Sequence, residues 1–542
     1  MHRRAVFMLA SIALTAAMLV GQERPANAAA IVVDSADDEL NVDGDCSFRE
    51  AVEAANTDTA VDACAAGNGA DAIGFAPALD TVTVMGEVTI TSPVAITGNG
   101  QTDTLLQTDI VVDLGGAVDL ADLTITEASS NTIAISISTP GNAVAIARDV
   151  TLNGSVNVNA TGGSAVGNLE IERATLSSIN VNSSSAGDDA RLRIVDSTVA
   201  SSVNVNTASG NSSLEFEDTD VTGFMNINSF DGTSGMVMTG GSHVGNLNVN
   251  TFSGAALAYY SESTVTGTAN ANSSTGLAEI ELVRSTLDAN GAVDVGIDGN
   301  NARIELFYST VKNACGNGIE NNGTTTIENS TIAGNDNIGV ETSGTTDIGF
   351  STIVGNGATT CGGSDSGGLD VAGGAVTVRG SIVADNGAAN CVGSPITSEG
   401  GNVVDDASCA LGADDLAETD PLLGPLADNG GESETRLPDA ASPAIDFAAG
   451  LACPPDDQRS SERPSGDACD AGSVEVLQTP PTTTPESTTT GAPGTTDELP
   501  ATGSGAAPWL GALAAALIVA GALLSARAGN SVSRRRAARH AH

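Results

Sequence analysis

Pairs of asparagines recur at a fixed spacing through the middle of the chain. The tetrapeptide Val156-Asn157-Val158-Asn159 returns with small changes, and its second asparagine recurs at steps of 23, 24, 22, 22 and 22 residues. Because an amide offers two N–H donors and two acceptor lone pairs, such columns can bond to one another as ladders or present an array of amides to a glycan, another polymer or ice. We favour the ladder and keep the binding face as the alternative. The paired asparagines are Asn157 and Asn159, Asn180 and Asn182, Asn204 and Asn206, Asn226 and Asn228, and Asn248 and Asn250, with a weaker pair at Asn270 and Asn272.

Side chains suited to catalysis are scarce. Lys312 is the only lysine of the chain, and His243 is the only histidine away from its two ends. A polysaccharide lyase needs a base, commonly Arg or Lys, and a glycosidase needs two carboxylates ~5 to 9.5 Å apart. Asp196, Asp218 and Asp220 could align in neighbouring repeats, but such a coincidence is expected in so acidic a chain. His243 takes the threonine position of its column, which predicts that its side chain lies at the surface. We therefore predict no catalytic residues and no enzymatic activity, with a polysaccharide lyase or hydrolase as the alternative.

Eight cysteines favour disulfides. An even number of cysteines is typical of a chain that is exported to an oxidising compartment. Zinc is not expected, because the chain contains no Cys-x-x-Cys motif and no Cys/His cluster. The sequence allows many connectivities, and we predict that nearest neighbours pair. These pairs are Cys46 with Cys64, Cys315 with Cys361, Cys391 with Cys409, and Cys453 with Cys469.

One short acidic segment deserves comparison with a calcium loop. Asp43-Gly44-Asp45 begins like the loop of an EF-hand. However, the glycine and the closing glutamate of that motif are absent from the required positions. We assign no metal site and no cofactor, and calcium binding stays open without ligands.

The repeats that carry these residues have the period of β-strands. Apolar and polar residues alternate in short segments such as Leu169-Glu170-Ile171-Glu172, and a Ser-Thr column, for example Ser309-Thr310, keeps the same spacing. Gly334-Asn335 and Gly355-Asn356 fall between strands, where turns need the left-handed conformation. Short strands that repeat every 22 residues or so predict an all-β fold, a parallel β-helix that buries its inward Val, Ile and Leu columns. We expect about a dozen coils.

Two segments at the ends of the repeats predict caps and indicate a family. Residues 46–56, Cys-Ser-Phe-Arg-Glu-Ala-Val-Glu-Ala-Ala-Asn, place Phe48, Ala51, Val52 and Ala55 on one face of a short helix that could plug the first coil. This segment resembles the Cys-Ser-Leu-Arg-Glu-Ala motif of a family of bacterial β-helix surface proteins, with Phe48 in place of leucine. Residues 419–431, 442–446, 457–459 and 469–472 are similar to the closing module of the same family. The resemblance implies a right-handed, pectate-lyase-like solenoid at the cell surface, with an N-terminal cap and a disulfide-stapled C-terminal module.

The N-terminus has the features of a secretory signal peptide. His2-Arg3-Arg4 precedes an apolar stretch, and the small-residue pattern Ala26-Asn27-Ala28 follows it. This order predicts cleavage after Ala28.

The C-terminus combines a short motif, an apolar span and a basic tail. Residues 506–526 carry no charge and are long enough to cross a membrane, and five arginines follow them. This order resembles the cell-wall sorting signal of Gram-positive surface proteins. In that family a sortase cleaves the Thr-Gly bond and joins the threonine to peptidoglycan, which implies cleavage between Thr502 and Gly503. The motif consists of Leu499, Pro500, Ala501, Thr502 and Gly503.

These segments divide the chain into six parts. The Thr/Pro-rich stretch before the sorting motif contains no large apolar residue, and we interpret it as an extended stalk. The predicted parts are the signal peptide 1–28, an N-terminal cap with the first strands 29–104, β-helix repeats 105–400, a C-terminal capping module 401–477, the stalk 478–498, and the sorting signal 499–542 with its transmembrane segment 506–526.

The net charge limits the partners. The chain carries 67 Asp and Glu against 20 Lys and Arg, a formal net charge of −47. Such a charge repels nucleic acid and anionic lipid. We predict a protein secreted and covalently attached to the cell wall, with sortase and peptidoglycan as partners, that serves as an adhesin-like or glycan-binding rod. The alternatives are a wall-bound polysaccharide lyase or hydrolase and a passive structural wall protein.

Overall fold

The computed structural model describes the central part of the chain. The predicted signal peptide with its cleavage site after Ala28, the stalk beyond residue 478 and the sorting signal with Leu499 to Gly503 lie outside the described residues. In the described part, no helix is long and apolar enough to cross a membrane. The described ranges are 29–112, 117–126, 133–139, 142–162, 165–291, 296–358, 360–361 and 367–478.

The chain winds as a parallel β-helix, which confirms the predicted all-β fold. Within the coils, each strand pairs in parallel with the equivalent strands of the adjoining coils. Three sheets result, which we number 1, 2 and 3 in the order in which one coil passes through them. The coils begin at Ala30, well before residue 105.

Most strands belong to a single sheet, and a few run round a corner into the next. Sheet 1 contains Ala30–Val33, Asp71–Phe75, Pro93–Thr97, Val166–Glu172, Asp189–Val195, Asn211–Glu217, Thr233–Thr239, Ala255–Ser261, Leu277–Val283, Arg303–Phe307, Thr324–Glu328, Thr345–Gly349, Ala375–Arg379 and Thr397–Ser398. Sheet 2 contains Thr198–Val199, Asp220–Val221, Ser242–Val244, Thr264–Thr266, Thr286–Asp288, Thr310–Lys312, Thr331–Ala333, Thr352–Val354, Ile382–Ala384 and Val403–Val404. Sheet 3 contains Ile133–Thr139, Val203–Thr207, Met225–Ser229, Leu247–Thr251, Ala269–Ser273, Ile297–Asn300, Ile319–Asn321, Ile338–Thr342, Gly367–Val371 and Cys391–Gly393. The strands that turn a corner are Thr81–Ile90, Leu105–Val112, Ala117–Thr126, Asn142–Ala160 and Thr175–Ser183.

The register places like residues on like residues. In sheet 3, Val203 pairs with Met225 and Val205 with Ile227, while Asn204 between them pairs with Asn226. The apolar members of each strand are buried and the asparagines are half-buried. The alternation of period two read from the sequence therefore fills one continuous apolar core along the coils.

A buried serine ladder supports the corner between sheets 1 and 2. The residue before each serine has a positive φ, for example 48° at Arg284 and 56° at Tyr308. The backbone N–H of Ser285 donates to Ser309 Oγ at 3.1 Å, and Ser309 Oγ donates to the carbonyl of Phe307 at 2.9 Å. The Ser column of the sequence thus satisfies buried backbone groups that the tight corner leaves unpaired. The same contact recurs from Ser263 to Ser285, Ser309 to Ser330, Ser330 to Ser351, and Ser351 to Ser381.

The turns between sheets 2 and 3 have the predicted conformation. Gly334 and Gly355 both have a φ of 67°. The asparagines that follow them point inward and stack, because Asn335 Nδ2 donates to Asn356 Oδ1 at 2.9 Å. These inward asparagines are buried, in contrast to the half-buried pairs on sheet 3.

A short helix covers the first coil as predicted. The helix Phe48–Thr57 packs against the first strands of the coil stack. Its start is fixed by a capping box, in which Glu50 N donates to Ser47 Oγ at 3.2 Å and Ser47 N donates to Glu50 Oε2 at 3.0 Å. Phe48, Ala51 and Val52 are buried against the core, as is Ala55.

The C-terminal module covers the side of the rod as well as its end. Leu416 pairs with Val403 next to the last coil, and the antiparallel strands Leu423–Ala427 and Thr435–Pro438 follow. From there the chain returns along sheet 2, where Gln458 Nε2 donates to Thr310 Oγ1 at 2.9 Å and Ser473 N donates to Thr352 Oγ1 at 3.0 Å. The outward threonines of the Ser-Thr column form this interface.

All four predicted disulfides are present. The Cα atoms of Cys46 and Cys64 lie 4.9 Å apart, and this bridge joins the segment just before the cap helix to the loop that follows the helix. The remaining pairs lie in the second half of the chain. They are Cys315 with Cys361, Cys391 with Cys409, and Cys453 with Cys469.

Removal of one serine hydroxyl from the corner ladder tests its contribution. Ser309→Ala removes the acceptor of the Ser285 N–H and leaves that buried donor unpaired. We expect a loss of about 1–3 kcal/mol in the free energy of unfolding, measured by urea denaturation of the full chain. The control is Ser201→Ala at an exposed corner, where a change within about 0.5 kcal/mol is expected. Equal effects of the two changes would contradict the ladder.

Candidate functional site

The asparagine pairs form two amide ladders along sheet 3. In the first Asn ladder, which contains Asn157, Asn180, Asn204, Asn226, Asn248 and Asn270, each Nδ2 donates to Oδ1 of the preceding coil at 2.8 to 3.2 Å. In the second Asn ladder, which contains Asn159, Asn182, Asn206, Asn228, Asn250 and Asn272, the same distance is 2.7 to 3.1 Å. The structure thus confirms that the paired asparagines form ladders, which is the interpretation favoured from the sequence.

A groove of about 870 Å³ runs beside the second Asn ladder. It extends from Ala160 to Asn300, with six asparagines along it, at the corner where sheet 3 turns towards sheet 1. Its walls are the second ladder on one side and the corner turns on the other. The lining turn and strand-end residues are Ala160, Thr161, Ser183, Ser184, Thr207, Ala208, Ser229, Phe230, Thr251, Phe252, Ser273 and Ser274. The first Asn ladder lies outside this groove.

Glycines keep the turns of this corner in register. An ideal Cβ on Gly232 would lie 2.2 Å from the carbonyl oxygen of Gly210, and one on Gly254 would lie 2.1 Å from that of Gly232. Such contacts exclude any larger residue at these positions. The close stacking aligns the first residue of each turn, so that Phe230 and Phe252 lie in adjacent coils.

Phe230 and Phe252 form an exposed aromatic ridge on the groove. The two side chains are 55% and 51% exposed. Their ring centroids lie 4.9 Å apart, and the rings are inclined by 5°. Large apolar side chains that stay exposed in an ordered stack are typical of a binding surface. The sequence signal, which the repeat analysis missed, is a Phe two residues before the turn glycine in both Phe-Asp-Gly and Phe-Ser-Gly.

The groove is uncharged and contains one unsatisfied hydroxyl. All the described residues that line it are Asn, Ser, Thr, Ala or Phe, although the chain has a net charge of −47. Thr251 is 7% exposed, and its Oγ1 has no hydrogen-bond partner among the described residues. By contrast, the equivalent Ser229 and Ser273 donate to the carbonyls of Gly232 and Gly276. The groove therefore combines amides, one orphaned hydroxyl and aromatic carbon.

The aspartates considered for catalysis lie elsewhere. Asp196 and Asp218 occupy exposed corners between sheets 1 and 2, with φ values of 47° and 46°. Asp220 is exposed on sheet 2 and accepts a hydrogen bond from Ser242. They lie near one another in neighbouring coils, as the spacing indicated, but on the side away from the groove.

His243 is buried, so its predicted surface position is wrong. It pairs with Val221 and Val265, which shows that it takes an inward valine position of its column. Its Nδ1 lies 3.1 Å from Tyr260 Oη, and its Nε2 lies 3.0 Å from the carbonyl oxygen of Gly223. Burial lowers the pKa of His243 to about 4, so the imidazole is neutral in the core.

A cluster of glutamates lies on the outer face of sheet 1. The carboxylates of Glu279, Glu281 and Glu305 lie within 4.8 Å of one another. Burial, and then repulsion by Glu305 and Glu279, raise the pKa of Glu281 to about 7. Arg303 forms an ion pair with Glu305 in the same cluster. These carboxylates are not among the lining residues of the groove.

The acidic segment that begins like a calcium loop is folded against the cap. The carboxylates of Asp43, Asp45 and Asp62 lie within 4.8 Å of one another. Gly44 N donates to Asp62 Oδ2 at 2.7 Å, and this bond holds the pKa of Asp62 below its usual value. The backbone amides thus stabilise the ionised Asp62, and the cluster by itself assigns no metal.

Comparisons with known proteins give a fold neighbour only. No protein-family model matches the chain, and no curated protein matches its sequence. Among solved structures, the chain is similar to the A-module of a mannuronan C-5 epimerase from Azotobacter vinelandii, with 14% identity, a TM-score of 0.28, and coverage of 71% of this chain and 99% of that chain. Likeness of this degree carries no activity from that enzyme to this chain.

The buried histidine predicts acid sensitivity. Because the unfolded chain binds a proton at His243 near pH 6.5 and the folded chain only near pH 4, this group reduces stability as the pH falls from 6.5 towards 4. The loss is expected to reach up to roughly 3 kcal/mol. His243→Val, which matches its column neighbours, is expected to flatten the dependence of the free energy of unfolding on pH, measured by urea denaturation of the full chain.

A buried variant without a titrating group provides the control for this measurement. Val221→Ala is expected to lower stability by a constant amount, so its pH profile should remain parallel to that of the wild type. A His243→Val profile that also remains parallel would show that the histidine is not the origin of the acid sensitivity.

Proposed function

We propose that this protein is a rigid cell-surface rod that binds an extracellular glycan along sheet 3. The observation that carries the proposal is the continuous groove between the second Asn ladder and the Phe230–Phe252 ridge. Concave sites that combine apolar walls with a few oriented polar groups are typical of ligand binding.

The amides of the ladder retain the hydrogen-bonding capacity that a glycan needs. Each inner member uses one N–H and one carbonyl lone pair for its neighbours in the ladder, as Asn228 does with Asn206 and Asn250. One donor and one acceptor per coil remain. Because a sugar hydroxyl both donates and accepts, a row of amides can bond to successive sugars.

Export and anchoring complete the proposal. The four disulfides are typical of an oxidising compartment outside the cytoplasm. The predicted signal peptide and the motif at Leu499 to Gly503 would take the chain to the cell wall, where sortase would join Thr502 to peptidoglycan. The stalk would then hold the rod clear of the wall, with its groove accessible.

Binding to a panel of glycans tests the proposed activity. The full chain, purified in detergent, is expected to bind at least one polysaccharide of a panel that contains neutral, acidic and basic members, measured by affinity electrophoresis. Reducing ends are expected not to increase during the incubation. The proposal fails if the whole panel is left unbound, and release of sugar products would favour the polysaccharide lyase or hydrolase instead.

Cell fractionation tests the predicted anchor. Wild-type protein is expected to leave the cell wall only after muramidase digestion, because its Thr502 would be bonded to peptidoglycan. Thr502→Ala is expected to shift the protein into the detergent-soluble fraction, while the matched control Thr496→Ala in the stalk should behave as wild type. Extraction of the wild-type protein by detergent alone would contradict covalent attachment.

A further inference from the structure

We propose that the groove selects an uncharged, extended polysaccharide that lies along the rod axis with one sugar unit per coil. This inference rests on the proposed function and specifies its ligand. Its basis is the coincidence, in one groove, of a regular amide row, an aromatic ridge and a complete lack of charge among the described lining residues.

The spacing of the groove favours a periodic ligand. Coils that pair as parallel strands repeat every ~4.8 Å. This rise is close to the advance of one pyranose along an extended 1,4-linked chain. Six asparagines line the groove in register, from Asn182 to Asn300, and those of the second Asn ladder present the same donor and acceptor at each coil. Because successive units of such a chain face in alternate directions, a ligand of this rise can place one sugar at each coil and repeat the same contact at every second coil.

The charges exclude ionic polysaccharides. An anionic chain would approach a protein of net charge −47 and find no cation among the described residues that line the groove. A cationic chain would be attracted at long range, but the described lining residues offer no carboxylate to pair with, so its charges would lose water without compensation. Only an uncharged ligand enters at no electrostatic cost.

The ridge and the orphaned hydroxyl favour sugar over a flat surface such as ice. The C–H face of a pyranose can pack on the half-exposed rings of Phe230 and Phe252, while its hydroxyls reach the amides of Asn228 and Asn250 on the opposite wall. Thr251 also lines the groove, and its buried Oγ1 has no hydrogen-bond partner among the described residues. Ice has no protruding edge that could enter a groove and no apolar face that could pack on the rings.

The backbone of the groove argues against a bound peptide strand. A peptide commonly binds by adding a strand to an open sheet edge. Here Met225–Ser229 pairs with Val203–Thr207 on one side and Leu247–Thr251 on the other. The strands at the centre of the groove therefore have no free edge, and binding must use side chains.

Removal of the ridge is the first test. Phe230→Ser with Phe252→Ser in the full chain is expected to weaken binding of neutral 1,4-linked oligosaccharides, namely cello-, manno- and N-acetylated chito-oligosaccharides, by about tenfold or more. The control is Phe224→Ser, which removes an equally exposed phenylalanine, 58% exposed, outside the groove. Isothermal titration calorimetry measures affinity, and circular dichroism confirms that all three proteins are folded.

Extension of the ridge is the complementary test, and it cannot be confused with unfolding. Ala208 occupies the turn position one coil before Phe230 and is exposed. Ala208→Phe would lengthen the ridge by one coil and is expected to increase affinity about threefold or more. Affinity is also expected to rise with oligosaccharide length up to about six units, the number of asparagines along the groove, and then to level off.

The outcomes separate this inference from the proposed function. Tighter binding of polygalacturonate or chitosan than of the neutral series would overturn the selectivity and leave glycan binding intact. Neutral binding that is unaffected by loss of both phenylalanines would place the site elsewhere on the rod. If neither the neutral nor the charged oligosaccharides bind, both the inference and the proposed function fail.

Discussion

The in-register parallel stacking of coils is the constraint on which the rest of this structure depends. Backbone hydrogen bonds between coils fix each residue directly over its equivalent, as Asn204 lies over Asn180 and under Asn226. A side chain in this fold therefore interacts first with its own column. Valine and isoleucine columns fill the core, and polar columns must satisfy themselves.

Three polar columns satisfy their hydrogen-bonding groups in different ways. The serine ladder accepts the backbone N–H groups at the corner between sheets 1 and 2, which positive φ values at residues such as Arg284 and Phe350 make tight. The inward asparagines Asn335 and Asn356 bond to each other in the core. The outward threonines at positions 310, 331 and 352 receive the C-terminal module, which makes the module part of the wall of the rod.

The groove is a consequence of the same stacking. The turns of successive coils stack so closely that there is no room for a Cβ at Gly232 or Gly254. A large residue beside such a glycine therefore lies directly over the equivalent residue of the next coil. Phe230 and Phe252 thus form a ridge, and the amides opposite form a row with the same repeat. In a chain with 67 acidic residues, the lack of charge along this one surface distinguishes it from the glutamate-rich face of sheet 1.

The sequence by itself determined the features that follow from period and neighbourhood. The repeat predicted the parallel β-helix, the asparagine columns predicted ladders, the helical face at Phe48 predicted the cap, and the order of cysteines predicted all four disulfides. Only the tertiary structure decided which residues of a column face inward. Ser242 pairs with Thr264, so the segment is shifted by one residue against the Ser-Thr pattern, and His243 pairs with the inward Val265 and is buried. It also decided the docking of Gln458 on Thr310 and the assembly of the groove. Periodicity describes what repeats within each coil, whereas these contacts depend on turn lengths and on residues far apart in the chain.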